Sequence, residues 1–238
     1  WLMMAGTLQV SADLPVPLAK AHAHNDYRHT HPLQDALDQG FCSVEADVFA
    51  IDGELRIGHD RIETQPGKTL EKLYLDPLLK RVRQHGGYVY PDTPGFTLLI
   101  DFKTSGEATY PLLSQILTKY REMLEAKSGA QAAVQVVISG NRPFEMIQAD
   151  PDRLCGIDGR LSDLNTKLSA DLMPLISDNW RSHFKWRGEG EIPASERKAL
   201  VEAVQKAHAK NRRVRFWATP ENESLWRELL AAKVDHIN

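Results

Sequence analysis

The sequence predicts an α/β fold, a (β/α)8 barrel of the TIM type, on three observations. Short apolar segments typical of buried strands alternate with segments of helical periodicity along most of the chain. Eight such strand segments are present, and strand–helix repeats form right-handed parallel units that close into a barrel when eight are joined. The length of 238 residues, with 42% hydrophobic content, suits one core of this size. We therefore expect a single domain over residues 13–238.

Each strand of the barrel is predicted from an apolar run bounded by polar, Gly or Pro residues. In chain order these runs are 18–24, 41–50, 96–103, 132–139, 153–157, 173–177, 213–219 and 234–238. A short additional strand at 54–58 follows the turn signal Asp52-Gly53. Helical spacing of apolar residues predicts helices at 32–39, 69–84, 110–126, 194–210 and 223–232, and a short one from residue 143. Glycines at 40 and at 86–87 are stop signals for the first two helices.

Composition excludes several functional classes. The formal charge is −3 with both signs interspersed, so no basic stripe indicates nucleic-acid binding. Cys42 and Cys155 lie in apolar strand-like runs, which favours buried thiols over a disulfide framework. After residue 12, no segment of the sequence is long and apolar enough to span a membrane. We expect a soluble monomer with a small-molecule or lipid-headgroup substrate.

The N-terminal residues 1–12 resemble the end of a signal peptide. An apolar start leads to the small residues Ser11 and Ala12, which are typical of a cleavage site. We interpret this segment as a signal-peptide remnant and predict export to the periplasm or outside the cell. The alternative is an ordinary apolar segment that packs on the domain.

Polar side chains collect where the first three predicted strands end. His24 ends the first strand, Glu45 and Asp47 lie on one face of the second, and Asp101 follows an apolar run in the third. Barrel enzymes place their active sites at the carboxyl ends of the strands. Because an unpaired carboxylate inside a strand is costly, three of them on neighbouring strands indicate a site for a hard cation such as Mg²⁺ or Ca²⁺. His59 follows the short extra strand and adds a second histidine.

A resemblance to a known family rests on short motifs in a fixed order. They are His24-Asn25, Glu45-x-Asp47, Asp52-Gly53, His59-Asp60 and Asp101-Phe102-Lys103. This ordered set resembles the glycerophosphodiester phosphodiesterases and the wider phosphatidylinositol-specific phospholipase C-like superfamily of barrels. The closest likeness is to a branch related to the fungal "altered inheritance of mitochondria" proteins. That likeness is carried by the motifs at 24–27, 43–48 and 215–220, and the resemblance extends from about residue 20 to the end.

The resemblance implies a metal-dependent phosphoric diester hydrolase with a two-histidine mechanism. Glu45, Asp47 and Asp101 would hold one Mg²⁺ or Ca²⁺, and His24 and His59 would be the general base and general acid in an order that stays open. The physical chemistry agrees, since imidazoles titrate near neutrality and a cation stabilises a phosphoryl transition state.

Substrate contacts are predicted less directly. The glycerophosphodiesterases usually have Arg after the first histidine, whereas this chain has Asn25. Contacts to the phosphate or its substituents then fall to Lys103, Asn25, Arg160 and Trp217. The family's glycerol-containing substrates are therefore one possibility beside phospholipid-type phosphodiesters, and the leaving alcohol stays open.

Two other functions are compatible with parts of the sequence. The pair His22-x-His24 resembles the metal-binding pair of amidohydrolases, although the runs 153–160 and 173–180 contain no further histidine for a zinc centre. A barrel that binds a phosphorylated ligand without turnover is the other alternative, because a fold alone does not guarantee chemistry. The presence of both histidines, all three carboxylates and Lys103 favours an enzyme.

Overall fold

A mostly parallel sheet organises the protein, as seen in a computed structural model that describes residues 14–91, 95–126 and 131–238. The strands are β1 Leu18–Ala23, β2 Phe41–Ile51, β3 Glu54–Ile57, β4 Phe96–Phe102, β5 Val134–Gly140, β6 Cys155–Gly159, β7 Leu175–Asn179 and β8 Arg213–Trp217. Their order in the sheet is β1-β2-β4-β5-β6-β7-β8, with parallel pairing throughout, and β3 pairs antiparallel with β2. The α/β class predicted from the sequence is thus confirmed.

Helices follow the strands and cover the sheet. They are α1 Gln34–Asp38, α2 Asp76–Gln84, α3 Gly106–Thr118, α4 Arg121–Leu124, α5 Phe144–Ala149, α6 Trp180–His183, α7 Ala194–His208 and α8 Glu223–Ala231. Short 3-10 turns lie at Asp26–Arg28, Arg61–Glu63 and Leu161–Asn165, and a π-helical turn at Glu71–Leu75 leads into α2. In the described part of the chain, no helix is long and apolar enough to cross a membrane.

Alternation along the strands separates an apolar face from a polar face. In β2, Val44 and Ala46 belong to the main apolar core, whereas Glu45 and Asp47 point to the opposite face. The same alternation runs through β4, where Ile100 joins that core next to Asp101 in the sequence. One face of the sheet therefore packs under helices, and the other gathers the charged side chains.

The C-terminal segment links the two outer strands of the sheet. His236 bridges Arg215 of β8, and Ile237 bridges Ala21 of β1, both in parallel. The prediction of a regular eighth strand over 234–238 is wrong, because only these isolated bridges form. The carboxylate of Asp235 accepts the Val214 N–H at 2.8 Å, so a side chain replaces a ladder bond there.

Two other expectations about elements need correction. The helix predicted over 110–126 begins earlier, at Gly106, where the Ser105 hydroxyl accepts the Ala108 N–H. It also divides at Tyr120, which leaves helical geometry to bury its ring and donate its hydroxyl to Asp76 at 2.6 Å. The fifth core strand extends two residues beyond its predicted end and thus includes Asp158.

The structure tests the prediction for the two cysteines but not the prediction for the N-terminal segment. The proposed signal-peptide remnant at 1–12 lies outside the described residues and stays a prediction. Cys42 and Cys155 are free and buried, as expected.

Two buried histidines with lowered pKa values, His22 and His236, should make the stability of the protein sensitive to acid. Burial lowers the pKa of His236 well below 6.5, assisted by the positive charges of Arg213, Arg215 and Lys20. Since the unfolded chain binds a proton that the folded site rejects, stability should fall as pH drops below 6.5, by about 1.4 kcal/mol per pH unit for each such histidine. His236→Gln keeps an acceptor for Arg213 and should reduce this slope by one proton.

Chemical denaturation of both proteins between pH 8 and about 5 tests this expectation. The comparison at pH 8, where the histidine is neutral in both states, isolates any packing effect of the substitution. Identical slopes in the two proteins would contradict the assignment.

Candidate active site

Three carboxylates converge on the polar face at the carboxyl ends of β2 and β4. Asp47 and Asp101 are direct partners in the β2–β4 register, and Glu45 lies two residues before Asp47 on the same face. One oxygen from each of the three lies within 4.8 Å of the other two. Hard oxygen donors at this spacing fit a single divalent cation such as Mg²⁺ or Ca²⁺.

Asp47 has one carboxylate oxygen with several partners and a second that is available to bind a cation. Its Oδ2 lies 2.7 Å from the Tyr27 hydroxyl and 3.0 Å from both His59 Nδ1 and Lys103 Nζ. Its Oδ1 is buried and has no hydrogen-bond partner among the described residues. A buried carboxylate oxygen without a partner is costly, so the atom suits a bound cation.

Glu45 is held in place by a buried network of polar side chains, formed by Arg215, His22 and Ser43. Its Oε2 lies 2.8 Å from Arg215 Nη2 and 3.3 Å from His22 Nε2, and His22 Nδ1 lies 2.7 Å from the Ser43 hydroxyl. Burial alone would raise the pKa of Glu45, but Arg215 and His22 hold it well below its ordinary value. Burial lowers the pKa of His22 to about 3, so His22 is neutral. The network binds Oε2 of Glu45, whereas Oε1 has only His24 Nε2 as a partner among the described residues, at 3.6 Å.

The two predicted catalytic histidines lie beside different carboxylates. His24 directly follows β1, and its Nε2 is 3.6 Å from Glu45 Oε1. Burial lowers the pKa of His24, which favours the neutral imidazole that can accept a proton. His59 reaches the site because β3 folds back on β2, and the Gly58 N–H donates to the Asp47 carbonyl at 3.2 Å. Its side chain remains 42% exposed, so it is accessible to a substrate.

Lys103 joins the carboxylates from the end of β4. Its Nζ lies 3.0 Å from Asp47 and 3.4 Å from Asp101. Although burial opposes its charge, these carboxylates raise the pKa of Lys103, so it is a fixed cation at the mouth of the site. Burial raises the pKa of Asp101 to about 6, against the opposing effect of Lys103.

Tyr27 is a site residue to which the sequence reasoning gave no role. Its hydroxyl lies 2.6 Å from Asn25 Oδ1, 2.7 Å from Asp47 Oδ2 and 3.1 Å from His59 Nδ1. It therefore connects the first loop to both the carboxylate group and a predicted catalytic histidine. Asn25 adopts a left-handed conformation with φ 54°, which asparagine tolerates better than most residues.

Among the residues that the structure describes, two predicted substrate residues, Arg160 and Trp217, form no hydrogen bond or ion pair with this cluster. Arg160 donates to Asp158 Oδ2 at 2.8 Å and to the carbonyls of Gly159 and Ser177. Trp217 is half-buried at the end of β8, in register with Asn179 of β7.

Two further tryptophans near the end of β7, Trp180 and Trp186, belong to the apolar core. Trp180 stacks on Phe184 with ring centroids 4.2 Å apart and donates its indole N–H to the Trp186 carbonyl. Trp186 is buried in the same cluster.

The geometry disfavours the amidohydrolase alternative. Both ring nitrogens of His22 are occupied, one by Ser43 and the other by the Glu45 oxygen that Arg215 also binds. His22 is therefore a packed residue that supports Glu45 and has no free nitrogen for a metal.

The buried pair of Arg215 and Glu45 predicts a large stability effect. Arg215→Met should leave Glu45 charged and unpaired, and should lower the free energy of unfolding by about 3–5 kcal/mol in chelator. Chemical denaturation measures the loss. Arg215→Lys keeps the charge and should lose less, and adding Glu45→Gln to Arg215→Met should recover much of the stability. A loss below about 1 kcal/mol, the size of an exposed pair, would contradict the expectation.

Comparison with known proteins identifies relatives over almost the whole chain. A family model described as "AIM6-like phosphodiesterase domain" matches residues 9–154, which include all the carboxylates, both histidines and Lys103. A second model, "Glycerophosphoryl diester phosphodiesterase family", matches residues 213–238, which include Arg215. No solved structure matches the chain.

Curated fungal proteins are similar along the same length. "Altered inheritance of mitochondria protein 6" of Eremothecium gossypii is 30% identical over 97% of this chain and 69% of its own length. The homolog from Arthroderma benhamiae is 29% identical over 94% of this chain and 81% of its own length. The Saccharomyces cerevisiae S288c protein is 26% identical over 93% of this chain and 66% of its own length.

Proposed function

The chain belongs to the AIM6-like phosphodiesterase family, and from this membership and the site geometry we propose that it is a metal-dependent phosphoric diester hydrolase. The observation that carries the proposal is the group of three carboxylates flanked by His24 and His59. A non-catalytic binder of phosphorylated ligands would have no need for two histidines beside a cation site.

The cation would be held by Glu45, Asp47 and Asp101. The unpartnered Oδ1 of Asp47 and the close spacing of the three carboxylates support this assignment. When bound, a divalent cation supplies positive charge that stabilises the developing charge on phosphoryl oxygens. The oxygen-only donor set favours Mg²⁺ or Ca²⁺ over metals that prefer sulfur ligands.

The side chains of the protein perform the proton transfers and hold the phosphate. One of His24 and His59 accepts a proton from the attacking hydroxyl or water, and the other donates a proton to the departing oxygen. The bond from His59 Nδ1 to Asp47 fixes the ring and leaves Nε2 for the substrate. The ammonium of Lys103 lies beside Asp47 and Asp101, and in this position it would stabilise charge on a non-bridging oxygen of a phosphate bound at the cation.

We also propose that the sheet closes into a complete (β/α)8 barrel. The bridges from His236 to β8 and from Ile237 to β1 support closure, with the C-terminal segment in the eighth position. The carboxylates, histidines and Lys103 then lie at the carboxyl-end rim, where enzymes of this fold bind their substrates.

The substrate class that we propose is a glycerophosphodiester or a phospholipid-type phosphodiester. Family membership supports phosphodiester chemistry. Asn25, in place of the usual arginine, is engaged with Tyr27, so the grip on the phosphate would depend on the cation and Lys103.

A substrate screen of the purified protein tests the proposal. The panel contains glycerophosphodiesters, lysophospholipids, inositol phospholipids and an aryl phosphodiester, each with Mg²⁺, with Ca²⁺ and with chelator. We expect hydrolysis only in the presence of a cation. Binding of these compounds without turnover would favour the non-catalytic alternative, and full activity in chelator would contradict the cation-dependent mechanism.

A further inference from the structure

The loop after β5 is locked against the carboxylate group. Gly140 has φ +67°, and a Cβ added there would lie 2.1 Å from Asp101 Oδ1. The Asn141 N–H donates to the Phe102 carbonyl at 3.0 Å, and the Arg142 N–H donates to the Gly140 carbonyl at 2.9 Å. The backbone that carries Arg142 is therefore fixed immediately beside Asp101.

A second close approach fixes the other side of this loop. A Cβ at Gly106, in the first turn of α3, would lie 2.2 Å from the Asn141 carbonyl oxygen and 2.5 Å from Pro143. The segment thus lies between the end of β4 and the start of α3 with little freedom to move. A side chain on such a segment is well placed for recognition, because its backbone is already ordered.

Arg142 has an unneutralised charge at this position. Arg142 is half-buried, and its guanidinium has no ion pair or side-chain hydrogen bond to any residue that the structure describes. Burial and the neighbouring charge of Arg160 lower the pKa of Arg142, while Asp158, Asp163 and Asp101 oppose that effect. An arginine in this setting remains charged at neutral pH, so an anion is its natural partner.

Arg160 differs from Arg142 because it already forms an ion pair, with Asp158. It binds Asp158 at 2.8 Å, and the same Asp158 oxygen accepts from Ser139 and Ser177. The other oxygen of Asp158 is buried and has no hydrogen-bond partner within the described ranges. This side of the site thus contains two neighbouring arginines, Arg142 and Arg160, and one fully buried carboxylate, Asp158. Only one oxygen of that carboxylate forms hydrogen bonds within the described residues.

In the proposed function, the reacting phosphate already has partners at the ends of β2 and β4. They are Lys103 and the cation held by the carboxylates. Arg142 lies one strand further along, on the loop after β5. It is therefore placed to contact what is attached to the phosphate.

We propose that Arg142 is a specificity-determining residue that binds a second negatively charged group of the substrate, a carboxylate or phosphate carried on one of the esterified alcohols. The inference rests on the proposed phosphodiesterase function and names the substrate class of that site as a phosphodiester that carries a second anionic group. Arginine suits either group, because its planar fork forms two parallel charge-assisted hydrogen bonds.

A pair of substrates matched in size isolates this charge. The probes are 2-carboxyethyl 4-nitrophenyl phosphate and its neutral amide, 2-carbamoylethyl 4-nitrophenyl phosphate. The wild type should favour the carboxylate by about tenfold or more in kcat/KM, as expected for a charge-assisted hydrogen bond. A phosphate arm, 2-phosphoethyl 4-nitrophenyl phosphate, distinguishes the two anionic groups.

Variants of Arg142 should remove the preference and spare the chemistry. Arg142→Ala should lower kcat/KM for the carboxylate substrate to the value for the amide, with the amide nearly unchanged. Arg142→Lys should retain part of the preference, since it keeps the charge without the fork. Arg227→Ala, which removes an exposed arginine paired with Glu223 on α8, should leave the ratio unchanged. Arg142→Gln serves as a second variant if Arg142→Ala does not fold.

The outcomes separate this inference from the proposed function. Equal kcat/KM values for the pair in the wild type, or an equal loss for both in Arg142→Ala, would overturn the inference. If the wild type hydrolyses neither compound, the phosphodiesterase proposal fails for these substrates. Calorimetric binding of the same pair then decides: a carboxylate preference lost in Arg142→Ala supports the inference, and equal binding overturns it.

Discussion

Replacing His24 or His59 by alanine is expected to lower phosphodiesterase activity by about 10²- to 10⁴-fold in each case, the usual effect of losing a positioned acid or base. The two rings lie beside different carboxylates, Glu45 and Asp47, so neither can substitute for the other. Two proton transfers of opposite sense are needed around one phosphorus. Cation binding, measured by calorimetry, should be largely kept in both variants.

The combination of variants and leaving groups makes this prediction specific. The double variant should lose much less than the product of the single losses, because groups that act as a unit are not additive. An aryl leaving group needs little protonation, so the histidine that acts as the acid should matter less with it than with an alkyl leaving group. Equal dependence on both histidines for both leaving groups would refute the division of roles. His31→Ala, which changes an exposed histidine paired with Asp35, is the control.

Replacing Asp47 by asparagine is expected to weaken cation binding by about 100-fold or more. Loss of a ligand should cost at least as much as loss of the groups that support a ligand, which is about 10- to 100-fold. Asp47 is central because Tyr27, His59 and Lys103 all contact its Oδ2, whereas its Oδ1 has no hydrogen-bond partner in the described part of the chain. Activity should fall with the loss of the cation and recover only in part at high cation concentration.

An isosteric control separates ligation from a general loss of negative charge. Asp52→Asn changes a carboxylate that is 79% exposed in the turn between β2 and β3, where Asn-Gly is as favourable as Asp-Gly. It should leave cation affinity and activity unchanged. Asp101→Asn should weaken binding in the same direction as Asp47→Asn. Unchanged calorimetric affinity in Asp47→Asn would exclude Asp47 as a ligand.

Local patterns were sufficient to predict most of the strands, since apolar runs such as that of β4 are bounded by clear turn signals. The same patterns failed at 234–238, because a side-chain carboxylate from Asp235 takes over a backbone position and no local signal encodes that exchange. The break at Tyr120 likewise depends on Asp76, which is distant in the sequence.

The candidate site shows the same division between local and non-local information. Polar residues inside apolar runs indicated Glu45, Asp47 and Asp101, and the structure brings them together. Their partner Arg215 was part of a recognised motif but received no role, although alternation along β8 would have placed it on the polar face. Arg142 has no comparable signal, since its importance depends on which neighbours it lacks.

The alternating faces of the strands also have a consequence for folding. A shift of β2 by one residue against β4 would exchange its faces and move Glu45 and Asp47 under the helices, among residues such as Val44 and Ala46. A buried charge without a partner is penalised by several kcal/mol, so that misaligned sheet would be unstable. The acidic residues proposed for catalysis therefore also act as register markers, and neutral variants of them should fold with a less sharply defined alignment of strands.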